Sequence, residues 1–481
     1  MNRPLLLLVA LPTLGCTAPA QMKTAAAAED PRFVELTEWT EAQMEEWQVP
    51  GVALAVVTDG GVRHLEGLGV RRWNMPDPVT PDSLFRLGSI SKMFAGAVVA
   101  EEIAAGRLSL DAPAADVLGD LTFAEPQTLE GVTLLQLISH TSGIQSTGLP
   151  NTCDPDPDLL GAELAEMAPE WAFWSAPGEL FHYANQGYSL VGLMAERSAG
   201  APYTDLAQGM LDRAGMGTAT YDWIEGFSGE HATGHTMDLA EGRPLAYRTF
   251  NERACVASYP SGGLMASAED VAGLLEALIH EGDGWVSPAA WELMTTEGYG
   301  RTETSGYGFG LQTASYRDHV GYTHHGSVGG YFAMVWAIPS EGLGVGVLVN
   351  SDHYAVDPPV PWAKPTQRIM EHALDTFLGL EPEERVSSAR PVEDWDRYVG
   401  SYHSDYELGD VEITLEDGVL WYEDATTRTP MFTYSRDSFL YGEPRDDGRT
   451  RYVGVGFEED ATGALDWLIT DTGIARRQPA L

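Results

Sequence analysis

Ser89 and Lys92 stand three residues apart in Phe85-Arg-Leu-Gly-Ser89-Ile-Ser-Lys92-Met-Phe94. A glycine precedes the serine, and Ala95, Val99 and Ile103 follow as apolar positions before Gly106. The pattern predicts a helix opening at Ser89, with its hydroxyl near the positive end of the helix dipole. Positions i and i+3 share a helix face, so Lys92 lies beside that hydroxyl. A serine hydroxyl is a poor nucleophile until a base takes its proton, and a lysine stripped of water is able to do so. The chain holds only three lysines, Lys23, Lys92 and Lys364, and Lys92 is embedded in an apolar stretch. A capping serine with a snorkelling lysine is the plainer reading of the same residues. The Gly-x-Ser-x-Gly elbow of another hydrolase class is nowhere in the chain.

Further segments follow in order: Val132-Thr-Leu-Leu-Gln-Leu-Ile-Ser-His140-Thr-Ser-Gly143, then Pro177-Gly-Glu-Leu-Phe-His-Tyr183-Ala-Asn185, then Tyr259-Pro-Ser-Gly-Gly263. Gly306-Tyr-Gly-Phe-Gly310 and His324-His325-Gly326-Ser327-Val-Gly-Gly330 complete the series. Taken together with Ser89 and Lys92, they resemble the serine β-lactamase and penicillin-binding-protein superfamily over residues 33–380. The resemblance is to its class C-like branch of D-aminopeptidases, D-alanyl-D-alanine carboxypeptidases and esterases. It implies that Ser89 is acylated, with Lys92 and Tyr183 sharing the proton shuttle and Asn185 touching the substrate amide. His324-His325-Gly326 falls on the third motif, Lys-Thr-Gly or His-x-Gly in relatives. Aligned on the Val-Gly-Gly-Tyr that follows, the basic residue is His324; a one-residue shift makes it His325. The implied oxyanion hole is the backbone N–H of Ser89 and of Ser327. Whether Lys92 or Tyr183 is the base stays open, and coupled titration blurs the distinction.

The resemblance implies a serine hydrolase that forms an acyl-enzyme on an amide or ester and needs no cofactor. D-residue peptides come first as substrates, small esters second and β-lactams third. A non-catalytic cell-envelope binding protein on the same fold is the alternative from another class. In β-lactam relatives the third-motif lysine attracts the drug's carboxylate. A histidine with an ordinary pKa of about 6.5 is mostly neutral at pH 7 to 8. The expectation is weak β-lactam hydrolysis, less weak near pH 6.

Other residues carry less. His140 to Gly143 reads as a helix end and turn, with Ser142 a remote second nucleophile. Gly306 to Gly310 reads as a glycine-thinned strand near the site rather than a nucleotide loop. Trp171 and Trp174 read as core, and His182 as a packed or exposed side chain rather than a relay.

The elements that must position these groups are legible in outline. Residues 32–48 fit an amphipathic helix with Phe33, Leu36, Trp39, Met44 and Trp47 inward. Val52 to Val57, the Asp59-Gly60-Gly61 turn and the run to Val70 predict a buried hairpin. Residues 84–199 are mostly helical, and Ser267 to Asp270 caps a helix running to about His280. Strand-like segments return at 306–313, 323–338 and 343–349, and one helix is expected near 365–378. The fold class is therefore α+β: an antiparallel sheet built from both ends of a domain, with a helical insertion and flanking helices. After Arg390, Val411 to Leu415, Val419 to Tyr422 and short strands near Phe432, Phe439, Val453 and Leu465 predict a separate all-β module, a small barrel or sandwich. It resembles the lipocalin-like domain often appended to this branch.

The organisation read from the chain is 1–16 targeting signal, 17–31 tether, 32–380 hydrolase domain and 391–481 β-domain. Arg3, the apolar run Leu5 to Leu11 and Leu14-Gly15-Cys16 resemble a bacterial lipoprotein box, which implies lipidation of Cys16. The box departs from the usual pattern at Thr13, and plain cleavage near Ala18 or Ala20 is the alternative. Either route predicts an exported, periplasmic or cell-envelope protein, touching membrane only through that anchor. With 71 acidic against 28 basic residues the net charge is −43, which repels phosphate backbones and argues against nucleic acid as a partner. Cys153 and Cys255 remain, free to pair or to stand as lone thiols. No common zinc spacing occurs, and the acidic run after Cys153 reads as a solvated turn and helix start. Oligomeric state is not legible.

Overall fold

The structure, a computed structural model, describes residues 30–481 except 62, 125–127, 147–153, 239–242, 247–254, 301, 353–364, 383–391, 405–407, 436–437, 445–449, 460–464, 471–472 and 479–481. The targeting segment, Cys16 and Cys153 thus lie outside the described residues.

Helix α1 (Pro31–Trp47) starts on Asp30, whose carboxylate accepts from the Arg32 N–H, with proline at the first helical position. Its buried stripe is Phe33, Leu36, Thr40, Gln43 and Trp47, the true i+3/i+4 series. Trp39 and Met44, expected inward, fall beside that stripe. Trp39 is exposed and stacks on His372 at 4.4 Å, and Met44 is half-buried.

Strands β1 (Gly51–Thr58) and β2 (Arg63–Gly69) form the expected hairpin. Only β1 is buried along its length; β2 is the sheet edge and buries Leu68 alone. Helices α2 (Ser91–Ala104), α3 (Asn185–Ala199) and α4 (Ala268–Ile279) belong to the insertion. The Ser267–Asp270 capping box at the start of α4 is present. The chain then returns to the sheet with β3 (Gly306–Gly308), β4 (Leu311–Tyr316), β5 (His319–Val328), β6 (Tyr331–Ile338) and β7 (Leu343–Val349). Two segments expected as single strands are hairpins. Phe309 and Gly310, both at positive φ, turn β3 into β4, as a two-residue hairpin turn requires. Gly329 and Gly330 turn β5 into β6.

The sheet order is β2-β1-β7-β6-β5-β4-β3, with every pair antiparallel. Strand β1 is apolar from Val52 to Val57 because both sheet faces are covered. Val52, Leu54 and Val56 pack with α1 and with α5 (Pro365–Leu378), through Phe33, Leu36, Ile369 and Leu374. Ala53, Ala55 and Val57 belong to the larger core shared with α2, α3 and α4.

The last region is a closed barrel of eight antiparallel strands: β8 (Gly400–His403), β9 (Asp410–Glu416), β10 (Val419–Glu423), β11 (Arg428–Ser435), β12 (Ser438–Pro444), β13 (Thr450–Glu459), β14 (Leu465–Thr470) and β15 (Gly473–Arg477). Tyr402 of β8 pairs Arg477 of β15 and closes it, which removes the sheet edges. Inside lie Tyr402, Ile413, Leu420, Tyr422, Val455 and Phe457. Outside, Trp467 and Ile474 pack on Trp174 and Leu180 of the first domain, and Arg476 lies 3.4 Å from Glu179.

Candidate active site

Ser89 occupies a single 3₁₀ turn, Gly88–Ile90, that runs into α2. Gly88 adopts φ +53°, a conformation open to glycine at little cost. Ser91 fixes the turn: its hydroxyl donates to the Gly88 carbonyl at 2.7 Å and accepts from the Leu264 N–H at 3.0 Å. Ser89 does not cap the helix with its side chain, contrary to the plainer sequence reading. Its hydroxyl instead lies 3.2 Å from Lys92 Nζ.

Lys92 is fully buried. Its amine lies 2.7 Å from Asn185 Oδ1, at the first residue of α3, and 2.6 Å from the Ser261 carbonyl oxygen. Burial pushes its pKa well below the ordinary lysine range. A neutral amine has two N–H bonds and one lone pair. Both oxygens only accept, so they take the N–H bonds. In the neutral form the lone pair is left toward Ser89 and accepts its O–H, whereas in the charged form Nζ donates to Ser89 Oγ. Tyr259-Pro-Ser-Gly-Gly263, a motif without an assigned role in the sequence, supplies the carbonyl that enforces this.

The Tyr183 ring lies 4.8 Å from Lys92 Nζ, and its hydroxyl interacts with those of Ser89 and Tyr307. Burial drives the Tyr183 pKa far above the usual phenol range, with those two hydroxyls pulling the other way. From His324 to Ser327 strand β5 alternates, with His324 and Gly326 buried and His325 and Ser327 exposed. The structure therefore brings His324, not His325, to the cluster: His324 Nε2 lies 3.1 Å from the Tyr307 hydroxyl. His325 stacks parallel to Phe332 at 5.9 Å. Burial holds the His324 pKa well below the ordinary value. That works against the gain of charge near pH 6 that the sequence suggests.

Gly326 is needed for close approach. A Cβ there would lie 1.8 Å from the Leu87 carbonyl oxygen and 2.9 Å from the Ser89 nitrogen. A Cβ on Gly88 would lie 3.0 Å from the Ser327 nitrogen. The backbone around Ser327 thus packs directly against the turn that carries Ser89.

Sequence reasoning missed His140 and Tyr307. His140 Nε2 is 3.3 Å from the Tyr307 hydroxyl, and its ring lies 4.2 Å from that of Tyr183. The glycine-rich punctuation placed β3 near the site but carried no signal for Tyr307 itself. Ser142 is buried and its hydroxyl accepts from the Ile144 N–H at 3.4 Å. His182 is packed against Trp174 at 5.0 Å, and its pKa is pushed down to about 4 by burial. Trp171 and Trp174 are core. Asp156 caps a short turn before the helix Leu160–Met167, as the acidic run suggested. Cys255 is disulfide-bonded to a residue outside the described ones. Among the described residues no cluster of three His, Cys, Asp or Glu is placed to hold a metal, and no helix is long and apolar enough to cross a membrane.

The family model described as Beta-lactamase matches residues 36–364. Penicillin-binding protein 4 of Amycolatopsis lactamdurans is 28% identical over 322 residues, covering 64% of this chain and 83% of the relative. A β-lactamase of Pseudomonas fluorescens is 25% identical over 352 residues, 65% of this chain and 92% of that one. The octameric penicillin-binding protein homologue from Pyrococcus abyssi superposes with a TM-score of 0.62 at 24% identity, covering 92% of this chain and 99% of that one.

Proposed function

The chain belongs to the beta-lactamase family of serine hydrolases, and on that premise we propose that Ser89 is its nucleophile, forming an acyl-enzyme on an amide or ester. The observation that carries this reading is the amine of Lys92, fully buried and tied by two acceptor oxygens with Ser89 in its third direction. The Ser89 proton passes to Lys92 as Oγ bonds to the carbonyl carbon. The oxyanion sits between the Ser89 and Ser327 amides, where one donor contributes about 3 kcal/mol. Lys92 returns the proton through Tyr183 to the leaving nitrogen or oxygen, and that bond breaks. Water then attacks the ester, its proton following the reverse route, and Ser89 is released. A side chain with no partner but solvent needs no such arrangement, so a ligand-binding scaffold without chemistry is the weaker reading.

D-residue peptides, of the carboxypeptidase or aminopeptidase kind, are the first substrate class and small esters the second. Support comes from charge: burial disfavours a cation at His324, and the chain's net charge is −43. Both disfavour an anionic β-lactam, which ranks third, though salt screens the long-range field. A fluorophosphonate or fluorescent penicillin tests the chemistry: one stoichiometric adduct on Ser89 is expected, and folded protein that takes no label returns the binding-scaffold reading. Export and lipidation of Cys16 belong to the same proposal. Incorporation of labelled fatty acid that Cys16→Ala abolishes is the expected result; incorporation unchanged by the substitution contradicts it.

A further inference from the structure

Tyr307 sits at the centre of a hydrogen-bond chain whose direction is fixed at both ends by backbone. At one end the Ala184 N–H donates to His140 Nδ1 at 3.1 Å. That nitrogen is therefore the bare one, and the neutral ring carries its proton on Nε2. Nε2–H points to the Tyr307 oxygen at 3.3 Å and donates to it. At the other end His324 Nδ1 lies 2.7 Å from the His325 carbonyl oxygen, which only accepts, so Nδ1 carries the proton. His324 Nε2 is then bare and accepts the Tyr307 O–H at 3.1 Å. The chain reads in one sense, from His140 to Tyr307 to His324.

The surroundings hold both rings neutral. Lys92 of α2, His182 and Tyr183 of the segment before α3, Tyr188 of α3 and His325 of β5 are the titratable groups against them. Both rings are wholly buried, and that burial is the chief cause that pushes their pKa values down. His140 also keeps a left-handed backbone at φ +60°, a conformation disfavoured for a residue with a Cβ. Its ring is pinned on three sides, 4.2 Å from Tyr183, 5.0 Å from Tyr188 and 5.0 Å from Tyr307.

Tyr307 has one proton, and it is committed to His324. Toward Tyr183 it offers only a lone pair. The Tyr183 O–H thus has two acceptors, the Ser89 and Tyr307 oxygens, and no donor competing for its own oxygen from the Tyr307 side. We propose that Tyr307 is a positioning and specificity residue for the Ser89 reaction: it orients the Tyr183 proton, and by occupying His324 Nε2 it leaves His324 with no N–H for an anionic substrate. The inference rests on Ser89 and Tyr183 reacting as proposed above.

The test uses the full chain and two substrates, a small uncharged ester and nitrocefin, which bears a carboxylate. Tyr307→Phe removes one oxygen, and an unchanged Tm checks the fold. It is expected to lower kcat for the ester about tenfold with KM within about twofold. Removing the Tyr307 O–H also removes the bond that favours neutral His324, so protonation becomes easier. The nitrocefin-to-ester ratio of kcat/KM should then rise several-fold from pH 8 to pH 6 in the variant and stay flat in the parent. His140→Gln should lower kcat for the ester, and combined with Tyr307→Phe should add nothing, because it acts through Tyr307. A pH-independent ratio in Tyr307→Phe, or fully multiplicative effects, overturns the inference, and the ratio decides alone if His140→Gln folds poorly. Ser89→Ala keeps the two proposals apart. If it is inactive while Tyr307→Phe behaves as the parent, only the chain's role fails; if it stays active, the nucleophile fails.

Discussion

At the residue scale, Lys92 decides the chemistry. Its amine is wholly buried among Ser89, Asn185 and the Ser261 carbonyl, and that burial pushes its pKa down. An ordinary lysine starts to lose its proton near pH 10. With its pKa lowered, Lys92 loses its proton at a lower pH than an ordinary lysine, so the rate of Ser89 labelling should level off before about pH 10. It should fall only on the acid side, as Lys92 takes up its proton. A rate climbing steadily toward pH 10 would mean an ordinary lysine and a different base. The linkage has a definite sign. Because the folded pKa lies below the unfolded one, protons bind more readily to the unfolded chain, and this group's contribution to stability falls as pH drops below the unfolded value. Ser89→Ala should abolish turnover and shift stability by only about 1–2 kcal/mol, since Ser89 loses its hydrogen bonds with Lys92 and Tyr183 and caps nothing. Turnover within tenfold of the parent would remove Ser89 from the mechanism. The Ser89–Lys92 pair was legible from its spacing on one helix face, and Tyr183 and Asn185 through the family resemblance; the structure places the four together. His140 and Tyr307 were not, because each is 160 or more residues from one of its partners, and nothing local marks the meeting.

At the element scale, the site is where β5 presses its backbone against the turn that carries Ser89. Gly326→Ala puts a Cβ 1.8 Å from the Leu87 carbonyl oxygen, so strand or turn must move. A loss of about 1–3 kcal/mol is expected, with slower labelling as the Ser89 and Ser327 amides separate. Gly209→Ala is the control: it lies within the helix Tyr203–Arg213 with nothing within 4 Å of the added carbon. It should be neutral or stabilising by about 0.5–1 kcal/mol. Equal destabilisation by both would contradict the close-approach argument. Alternation along β5 also settled which histidine turns inward, a question the sequence left open because a one-residue slip exchanges faces. The sheet itself was legible from β1 and β7, continuous apolar runs that only a doubly covered sheet explains. The barrel's closing strands, β8 and β15, were not, since four and five residues carry too little alternation to stand out from loop.

At the scale of the whole molecule, the β-barrel is less independent than its sequence suggests. Its outer Trp467 and Ile474 bury Trp174 and Leu180, and Leu180 lies three residues before Tyr183. A chain truncated near Val386 keeps the sheet and both of its cores. It should fold and label at Ser89, but more slowly than the full chain, and with Trp174 newly exposed it should bind hydrophobic dye. Trp467→Ala in the full chain should slow labelling in the same direction. A truncated chain labelled at the parent rate would show that the contact does not steady the Tyr183 segment. The central claim, that this fold exists to acylate Ser89, meets its most direct test in one measurement: intact-protein mass after brief exposure to a fluorophosphonate at neutral pH. The account predicts a single adduct, located on Ser89 by peptide mapping and absent from Ser89→Ala. No adduct on folded protein, or one on Ser142 or any other residue, would contradict it.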